Sequence, residues 1–149
     1  MRIGIANDHA GPQLKKVVAN YIQSLGHEVI NYGIDDNTSV DYPDYGRLVA
    51  NAIVNGEIDL GVLICGTGLG ISIAANKVKG IRAACVSETT SARLAREHNR
   101  CQIVAFGARI VGEELAKDIV KTFLEAVPIG GRHDLRVSKI EQDCGCYCD

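Results

Sequence analysis

Apolar and polar residues follow two patterns that alternate along this chain. Short, continuously apolar runs predict buried strands, and the stretches between them carry apolar residues at the spacing of one helical face. The predicted strands lie at residues 2–6, 28–32, 60–64, 81–86 and 102–106. The predicted helices lie at residues 12–25, 42–55, 71–77, 88–98 and 113–126, and a last short helix contains Leu135 and Ile140.

Individual residues mark where these elements begin and end. Pro12 suits the first turn of a helix, and Gly26 suits the position just past its last turn. Gly56 ends the second helix, and Ser87 is the predicted N-cap of the fourth. Residues 128–131 contain proline and glycine, so they separate the fifth helix from the last one.

The order of these elements predicts an α/β fold. Strand and helix alternate five times, and continuously apolar strands are typical of a parallel sheet with helices on both faces. We therefore expect a three-layer, Rossmann-like αβα sandwich with a five-stranded parallel sheet and a C-terminal helical arm. No internal repeat is evident, so residues 1–142 are predicted to form a single domain and residues 143–149 a cysteine-containing tail.

Parallel sheets of this kind bind ligands beyond the carboxyl ends of their strands, at a point where the strand order reverses. Asp8 and His9 follow the first predicted strand, and a cysteine with a glycine-rich turn follows the third. If these two strands are neighbours at such a switch point, the two loops converge on one crevice.

Composition narrows the class of protein. The chain has 149 residues, 46% of them hydrophobic, and a formal net charge of −2, which gives no reason to expect nucleic acid or a membrane surface as a partner. No apolar run approaches the ~20 residues that span a bilayer. The sequence begins directly with a strand, so we expect no signal peptide and a cytoplasmic protein.

The six cysteines fall into two groups. Three lie in apolar or strand-like sequence, where a cytoplasmic protein keeps them reduced: Cys65, Cys85 and Cys101. Three crowd the tail: Cys144, Cys146 and Cys148. The tail spacing could hold a metal ion, but neither a histidine nor a CxxC pair accompanies it, so we interpret it as a solvated tail.

The turn after the third strand is a candidate anion site. Gly66, Gly68 and Gly70 allow a sharp turn that exposes backbone N–H groups, and the following helix adds its positive N-terminal end. The same field favours the thiolate of Cys65. The alternative is that Cys65 is a small hydrophobic residue at the end of a buried strand.

Known glycine-rich motifs fit this turn poorly. A dinucleotide fingerprint needs its third glycine one residue later, and a nucleotide-hydrolase loop needs Gly-Lys-Ser/Thr. A cysteine-phosphatase loop needs an arginine where this chain has Ile71. These three classes are therefore disfavoured.

Two further clusters carry suitable chemistry. Asp8 could cap the first helix, although the adjacent His9 also suggests a ligand-binding loop. Arg132 and Arg136 lie four residues apart on one helical face, with His133 between them. They could clamp a phosphate, or they could form a solvated basic face.

His98 and Asn99 precede the fifth strand, so the topology places them at the amino edge of the sheet. Cys65 follows its strand and lies at the carboxyl edge. Five strand residues separate these edges by roughly 16 Å, so His98 can share a site with Cys65 only if it comes from a partner subunit. The alternative is a surface histidine at a helix C-terminus.

Ordered motifs across residues 1–142 resemble the family of ribose-5-phosphate isomerase B, which also contains the galactose-6-phosphate isomerase subunits. The motifs that carry the resemblance are Asp8-His-Ala-Gly, Asp41-Tyr-Pro, Ile64-Cys-Gly-Thr-Gly-Leu-Gly-Ile-Ser-Ile-Ala-Ala-Asn76, Gly80-Ile-Arg-Ala, Glu97-His-Asn, Ala105-Phe-Gly-Ala-Arg109 and Gly130-Gly-Arg-His-Asp-Leu-Arg136. Only the tail lies outside this pattern.

The resemblance implies an enzyme that interconverts ribose 5-phosphate and ribulose 5-phosphate without a metal or another cofactor. It implies that Cys65 is the catalytic base, that Asp8 contacts substrate hydroxyls, and that Thr67 and His98 serve ring opening. The matching phosphate ligands are His9, Arg132 and Arg136, with Arg109 as an addition. Tyr42 and Asn99 match positions that line the site.

The chemistry of the residues is compatible with this function. Aldose–ketose exchange needs a base that moves a proton between adjacent carbons and N–H donors that stabilise the oxyanion, here expected from Gly66, Gly68 and Gly70. The expected partners are a phosphorylated sugar and a second subunit, in a homodimer with a shared site or a dimer of such dimers. Two alternatives stay open: an isomerase of allose or galactose 6-phosphate, and a phosphosugar-binding module without catalysis.

Overall fold

The computed structural model describes residues 1–142, and the predicted tail at 143–149 lies outside the described residues. Strands and helices alternate within this range as the sequence predicts. The strands are β1 (Arg2–Asn7), β2 (Glu28–Asn31), β3 (Leu60–Cys65), β4 (Ala83–Cys85) and β5 (Ile103–Gly107). The helices are α1 (Pro12–Ser24), α2 (Tyr42–Val54), α3 (Leu69–Asn76), α4 (Thr89–Asn99), α5 (Glu113–Glu125) and α6 (Arg132–Ile140).

All strand pairs in the sheet are parallel, and the strand order is β2-β1-β3-β5-β4. β1 lies between β2 and β3. The chain therefore places β2 on one side of β1 and all the later strands on the other side. The predicted switch point between the first and third strands is therefore confirmed. The register pairs Asn7 with Ile64 and Cys65 with Gly107, which aligns the carboxyl ends of β1, β3 and β5.

Apolar residues on alternate positions of the strands face two separate cores. Val62 and Ile64 of β3 face the core that α1, α4 and α5 cover, whereas Leu63 and Cys65 face the core under α2 and α3. Phe123 of α5 is fully buried in the first core. Burial of such a side chain contributes roughly 1.5–3 kcal/mol. Leu63 is likewise fully buried in the second core, so helices cover both faces of the sheet. The predicted three-layer α/β fold is confirmed.

The predicted N-cap of α4 is wrong, and the alternative role of Asp8 as the cap of α1 does not apply. Glu88, not Ser87, is the N-cap of α4, and its carboxylate accepts hydrogen bonds from the backbone N–H groups of Ser91 and Thr90. These hydrogen bonds lower the pKa of the Glu88 carboxyl. Asp8 does not cap α1, because the helix begins at Pro12, four residues beyond it, with Gly11 at the N-cap.

Predicted strand ends differ from the observed ones by at most two residues. The largest difference is at β4, predicted over 81–86, which spans only Ala83–Cys85. The backbone N–H of Ile81 bonds to the carbonyl of Val78 in a turn, so this residue does not join the sheet. β4 is an edge strand, and it pairs only with β5.

The turn from β3 to α3 requires glycine at two positions. Gly68 has a φ of +81°, in the left-handed region that side chains rarely adopt, and a Cβ there would lie 2.7 Å from the backbone of Phe106. A Cβ on Gly70 would lie 2.6 Å from the ring of Tyr42. The turn therefore lies directly against β5 on one side and against the start of α2 on the other.

No helix within residues 1–142 is both long and apolar enough to cross a lipid bilayer.

The substitution Gly68→Ala tests the close approach at this turn. We expect it to lower the free energy of unfolding by about 2–4 kcal/mol, because a strained φ and a clash with the Phe106 backbone act together. Gly26→Ala is the matched control, since Gly26 has a φ of +84° and open space where the Cβ would lie. Urea unfolding at one protein concentration measures both variants. Equal losses in the two variants would contradict the close approach.

Candidate active site

Cys65 is the last residue of β3, and its side chain lies at the rim of the core beneath α2 and α3. The residue is only 4% exposed, and its Sγ accepts a hydrogen bond from the backbone N–H of Gly68 at 3.1 Å. A peptide N–H directed at sulfur stabilises a thiolate. The sequence predicted that the Gly68 N–H would stabilise an oxyanion, but this N–H donates to the Cys65 sulfur instead.

Asp8 lies beside Cys65 at the carboxyl edge of the sheet. Its backbone N–H donates to the carbonyl of Ile64 at 3.1 Å, which extends the pairing of β1 and β3 by one residue beyond Asn7. Its Oδ1 accepts from the backbone N–H of Ala10, and the residue is 5% exposed. This carboxylate and the sulfur of Cys65 thus belong to adjacent strand ends.

His9 follows on the same loop and is held through its backbone. The Asn37 side chain donates to the His9 carbonyl at 3.1 Å, so the loop after β2 fixes the loop after β1. The Nδ1 atom of His9 is buried and has no hydrogen-bond partner among residues 1–142. A buried polar atom without a partner calls for an explanation, and a bound ligand is one such explanation.

Three further predicted residues surround the glycine turn. Arg109 donates its backbone N–H to the Gly66 carbonyl, and its guanidinium covers Gly66 so closely that a Cβ there would lie 3.1 Å from Nη1. The exposed Thr67 accepts a hydrogen bond from the N–H of Leu69 at 3.3 Å. The Tyr42 ring covers Gly70. We call the set at this edge the carboxyl-edge cluster: Asp8, His9, Tyr42, Cys65, Gly66, Thr67, Gly68, Gly70 and Arg109.

Lys15 supports this cluster and was not predicted. Its side chain is 4% exposed, and its ammonium donates to the Asn31 side chain, the Ile34 carbonyl and the Asp35 carboxylate. The hydrogen bond and the charge of Lys15 lower the pKa of Asp35. These contacts hold the loop that carries Asn37. The available signal was a lysine beside Leu14 and Val18 on the buried side of α1.

Cys85 also lies close to the glycine turn, which the sequence did not indicate. A Cβ on Gly68 would lie 3.0 Å from its Sγ. Burial, and next the proximity of Cys65, raise the pKa of the Cys85 thiol. Burial raises the pKa of Cys101, on the opposite side of the sheet, to about 11. Cys65, Cys85 and Cys101 are free thiols, as expected.

His98 and Asn99 form the last turn of α4, at the opposite edge of the sheet. The His98 ring stacks in parallel on the His133 ring of α6, with 4.1 Å between ring centroids. Arg100 forms a double hydrogen bond with Asp134. These contacts fix α6 on the end of α4, and α6 carries the exposed Arg132 and Arg136. We call the second set the amino-edge cluster: His98, Asn99, Arg132, His133 and Arg136.

One chain does not bring the two clusters together. Ile103 follows His98 and Asn99 closely in the chain, and it pairs with Gly61 near the start of β3. Cys65 lies at the other end of that strand. A strand advances about 3.3 Å per residue, so the edges are roughly 16 Å apart. Nor does any group of three or more His, Cys, Asp or Glu side chains within residues 1–142 have the geometry of a metal site.

His133 gives the amino-edge cluster a predicted pH dependence. Burial, and then the charges of His98, Arg132 and Arg136, lower its pKa, with Asp134 acting in the opposite direction. The unfolded chain therefore binds this proton more tightly, and stability should fall as pH drops below about 6.5. The variant His133→Gln should lose less stability between about pH 7.5 and pH 5.5. Urea unfolding at both pH values measures this, and identical losses would contradict it.

Comparison with known proteins identifies the family. The sequence profile described as Ribose/Galactose Isomerase matches residues 3–140. Ribose-5-phosphate isomerase B of Escherichia coli is 50% identical over 139 residues, which cover 93% of this chain and 93% of the relative. Galactose-6-phosphate isomerase subunit LacB of Clostridium acetobutylicum is 46% identical over 126 residues, covering 85% of this chain and 73% of the relative.

A solved structure agrees with the sequence comparison. Ribose-5-phosphate isomerase B of Clostridium thermocellum superimposes with a TM-score of 0.93, at 55% identity, and the match covers 95% of both chains. The sequence profile and the structural match thus both cover nearly all of residues 1–142. The resemblance inferred from the motifs is confirmed: this chain belongs to the ribose/galactose isomerase family, together with the ribose-5-phosphate isomerase B enzymes.

Proposed function

We propose that this protein interconverts D-ribose 5-phosphate and D-ribulose 5-phosphate, with Cys65 as the base. The observation that carries the proposal is the position of the Cys65 sulfur. It accepts the Gly68 N–H at the end of β3 and lies on the strand next to Asp8. Membership of the family supports the class of reaction, and the relative from Escherichia coli bears the name of this activity.

The proposed chemical step moves one proton between adjacent carbons. The Cys65 thiolate removes the proton from C2 of the open-chain aldose, and the electron pair of that C–H bond forms the C1–C2 double bond of an enediolate. The electron pair of the C1 carbonyl moves to O1, which takes up the proton that leaves the O2 hydroxyl. The resulting thiol then returns its proton to C1, which gives the ketose and restores the thiolate. The Gly68 N–H stabilises the Cys65 thiolate before it takes the proton and after it returns it, and the Arg109 guanidinium over Gly66 adds a positive charge near the enediolate.

The remaining residues of the carboxyl-edge cluster position the substrate. Asp8 accepts hydrogen bonds from sugar hydroxyls, and the exposed Thr67 hydroxyl acts in ring opening. The unpaired Nδ1 of His9 supports a role in phosphate binding, together with Arg109. The Tyr42 ring covers the turn at Gly70 and closes one side of the site.

The second half of the site comes from a partner subunit. Ring opening by His98 and phosphate binding by Arg132 and Arg136 require the amino-edge cluster, which lies roughly 16 Å from Cys65 in the same chain. A symmetric homodimer brings each edge to the opposite edge of its partner and forms two equal sites. We infer that His98 of the partner subunit, with its neighbour Asn99, completes the site around Cys65.

The substitution Cys65→Ala tests the base. We expect kcat to fall by about a thousandfold, because a general base is lost, while the dissociation constant for ribose 5-phosphate stays close to that of the wild type. Cys101→Ala makes the same change at a buried cysteine on the other side of the sheet and should keep its kcat. Steady-state kinetics and calorimetric binding measure both. A Cys65→Ala variant with wild-type turnover would refute the proposed base.

Mixing two inactive variants tests the shared site. Cys65→Ala and His98→Asn subunits, each nearly inactive toward ribose 5-phosphate, are exchanged by mild denaturation and refolding. A random mixture of symmetric dimers should recover about a quarter of wild-type activity, since half of the dimers are mixed and each of these has one intact site. Subunit exchange is verified by mass spectrometry. No recovery after proven exchange would contradict a shared site.

A six-carbon sugar phosphate is the second candidate substrate. The observation in its favour is the 46% identity to a galactose-6-phosphate isomerase subunit. Comparison of kcat/KM for ribose 5-phosphate, allose 6-phosphate and galactose 6-phosphate decides between the two. A phosphosugar-binding module would bind these compounds without turning them over, and Cys65→Ala would then change nothing.

A further inference from the structure

Arg82 lies at the amino edge of the sheet, immediately before β4. Its side chain is only 15% exposed, and its backbone N–H donates to the side chain of Gln102 at 2.9 Å. An arginine is seldom buried to this extent unless its guanidinium is fully hydrogen-bonded. Arg82 belongs to the Gly80-Ile-Arg-Ala motif, but neither the fold nor the proposed reaction gives it a role.

The guanidinium of Arg82 binds the end of α4. Its Nε donates to the carbonyl of Asn99 at 2.8 Å, and its Nη2 donates to the carbonyl of Arg100 at 3.0 Å. Helix C-termini leave such carbonyls without partners inside the helix, and a cation there also offsets the negative end of the helix dipole. Arg100 has a φ of +48°, so the helix stops at this point. Arg82 thus fixes the backbone that carries His98.

The same guanidinium also reaches the end of α6. Its Nη1 forms an ion pair with Glu141, which directly follows α6. The start of α6 is fixed separately, through the stack of His133 on His98 and the ion pair of Asp134 with Arg100. Arg82 therefore joins the end of α4 to the far end of the helix that carries Arg132 and Arg136.

We propose that Arg82 is a positioning residue for the amino-edge half of the active site. It sets the His98 ring for ring opening and holds the phosphate-binding arginines of α6 in register with that ring. The forked guanidinium makes this possible, because it donates to the carbonyls of Gly80, Asn99 and Arg100 and to the Glu141 carboxylate in fixed directions, as a lysine ammonium cannot. The proposal rests on the roles assigned to His98 and α6 in the proposed function.

The variant Arg82→Lys keeps the charge and removes the fork. Ribose 5-phosphate is a ring that must open, whereas ribulose 5-phosphate, with its C5 oxygen phosphorylated, is an open chain. We therefore expect the ratio of kcat with ribose 5-phosphate to kcat with ribulose 5-phosphate to fall about tenfold, because a misplaced His98 affects mainly ring opening. Both rates come from one preparation, so a smaller folded fraction leaves the ratio unchanged.

Three other variants complete the test. His98→Asn should lower the same ratio by about a hundredfold. Glu141→Gln weakens only the contact with α6, so it should raise KM for both sugars and leave the ratio as in the wild type. Arg2→Lys is the matched control. Arg2 likewise donates to the Gly56 carbonyl and pairs with the Asp59 carboxylate. Both partners follow α2 and belong to neither cluster, so the ratio and KM should not change.

Each outcome bears on a different statement. A ratio that falls in His98→Asn but not in Arg82→Lys overturns the role of Arg82 and leaves the proposed function intact. A ratio that is unchanged in His98→Asn overturns ring opening by His98, and the role of Arg82 with it. A wild-type KM in Glu141→Gln refutes the part of the proposal that concerns α6. A lowered ratio in Arg2→Lys would show that any loss of stability has this effect and would overturn the positioning role.

Discussion

The length of the parallel strands is the constraint on which the site depends. β3 runs from Leu60 to Cys65 without a break and holds the two edges of the sheet roughly 16 Å apart. The carboxyl-edge cluster has a cysteine, a carboxylate and an arginine around a glycine turn, and the amino-edge cluster has the histidines and the arginines of α6. A chain with this topology carries its two clusters at opposite edges of the sheet, and this separation is the reason for the proposal that a second copy completes the site.

Both half-sites are held by buried cations that bind backbone carbonyls. At the carboxyl edge, Lys15 donates to the Ile34 carbonyl and so fixes the loop that reaches His9 through Asn37. At the amino edge, Arg82 donates to the carbonyls of Asn99 and Arg100. Loops and helix ends leave carbonyls unpaired, and in both places a buried cation satisfies them. The side chains proposed to bind the sugar phosphate are thereby positioned through the backbone that carries them.

Much of the fold could be predicted because its signals are local. Apolar runs and helical spacing predicted all the strands and helices of residues 1–142, and the switch point followed from the order of the elements. The error at the N-cap of α4 arose because neighbouring side chains compete for the same backbone N–H groups. Ser87 and Glu88 could both cap α4, and the carboxylate, which accepts two backbone N–H groups, is the cap. Asp8 lies too far before Gly11 to cap α1, which spacing alone did not show.

The sequence by itself determined which edge of the sheet each candidate residue occupies, because a residue that follows a parallel strand and one that precedes it lie at opposite ends. Only the tertiary structure decided which side chains meet there. The stack of His98 on His133 and the contact of Arg82 with Glu141, 59 residues apart, depend on how α4 and α6 pack. Periodicity describes one element at a time, whereas such contacts arise when two elements bury a common surface.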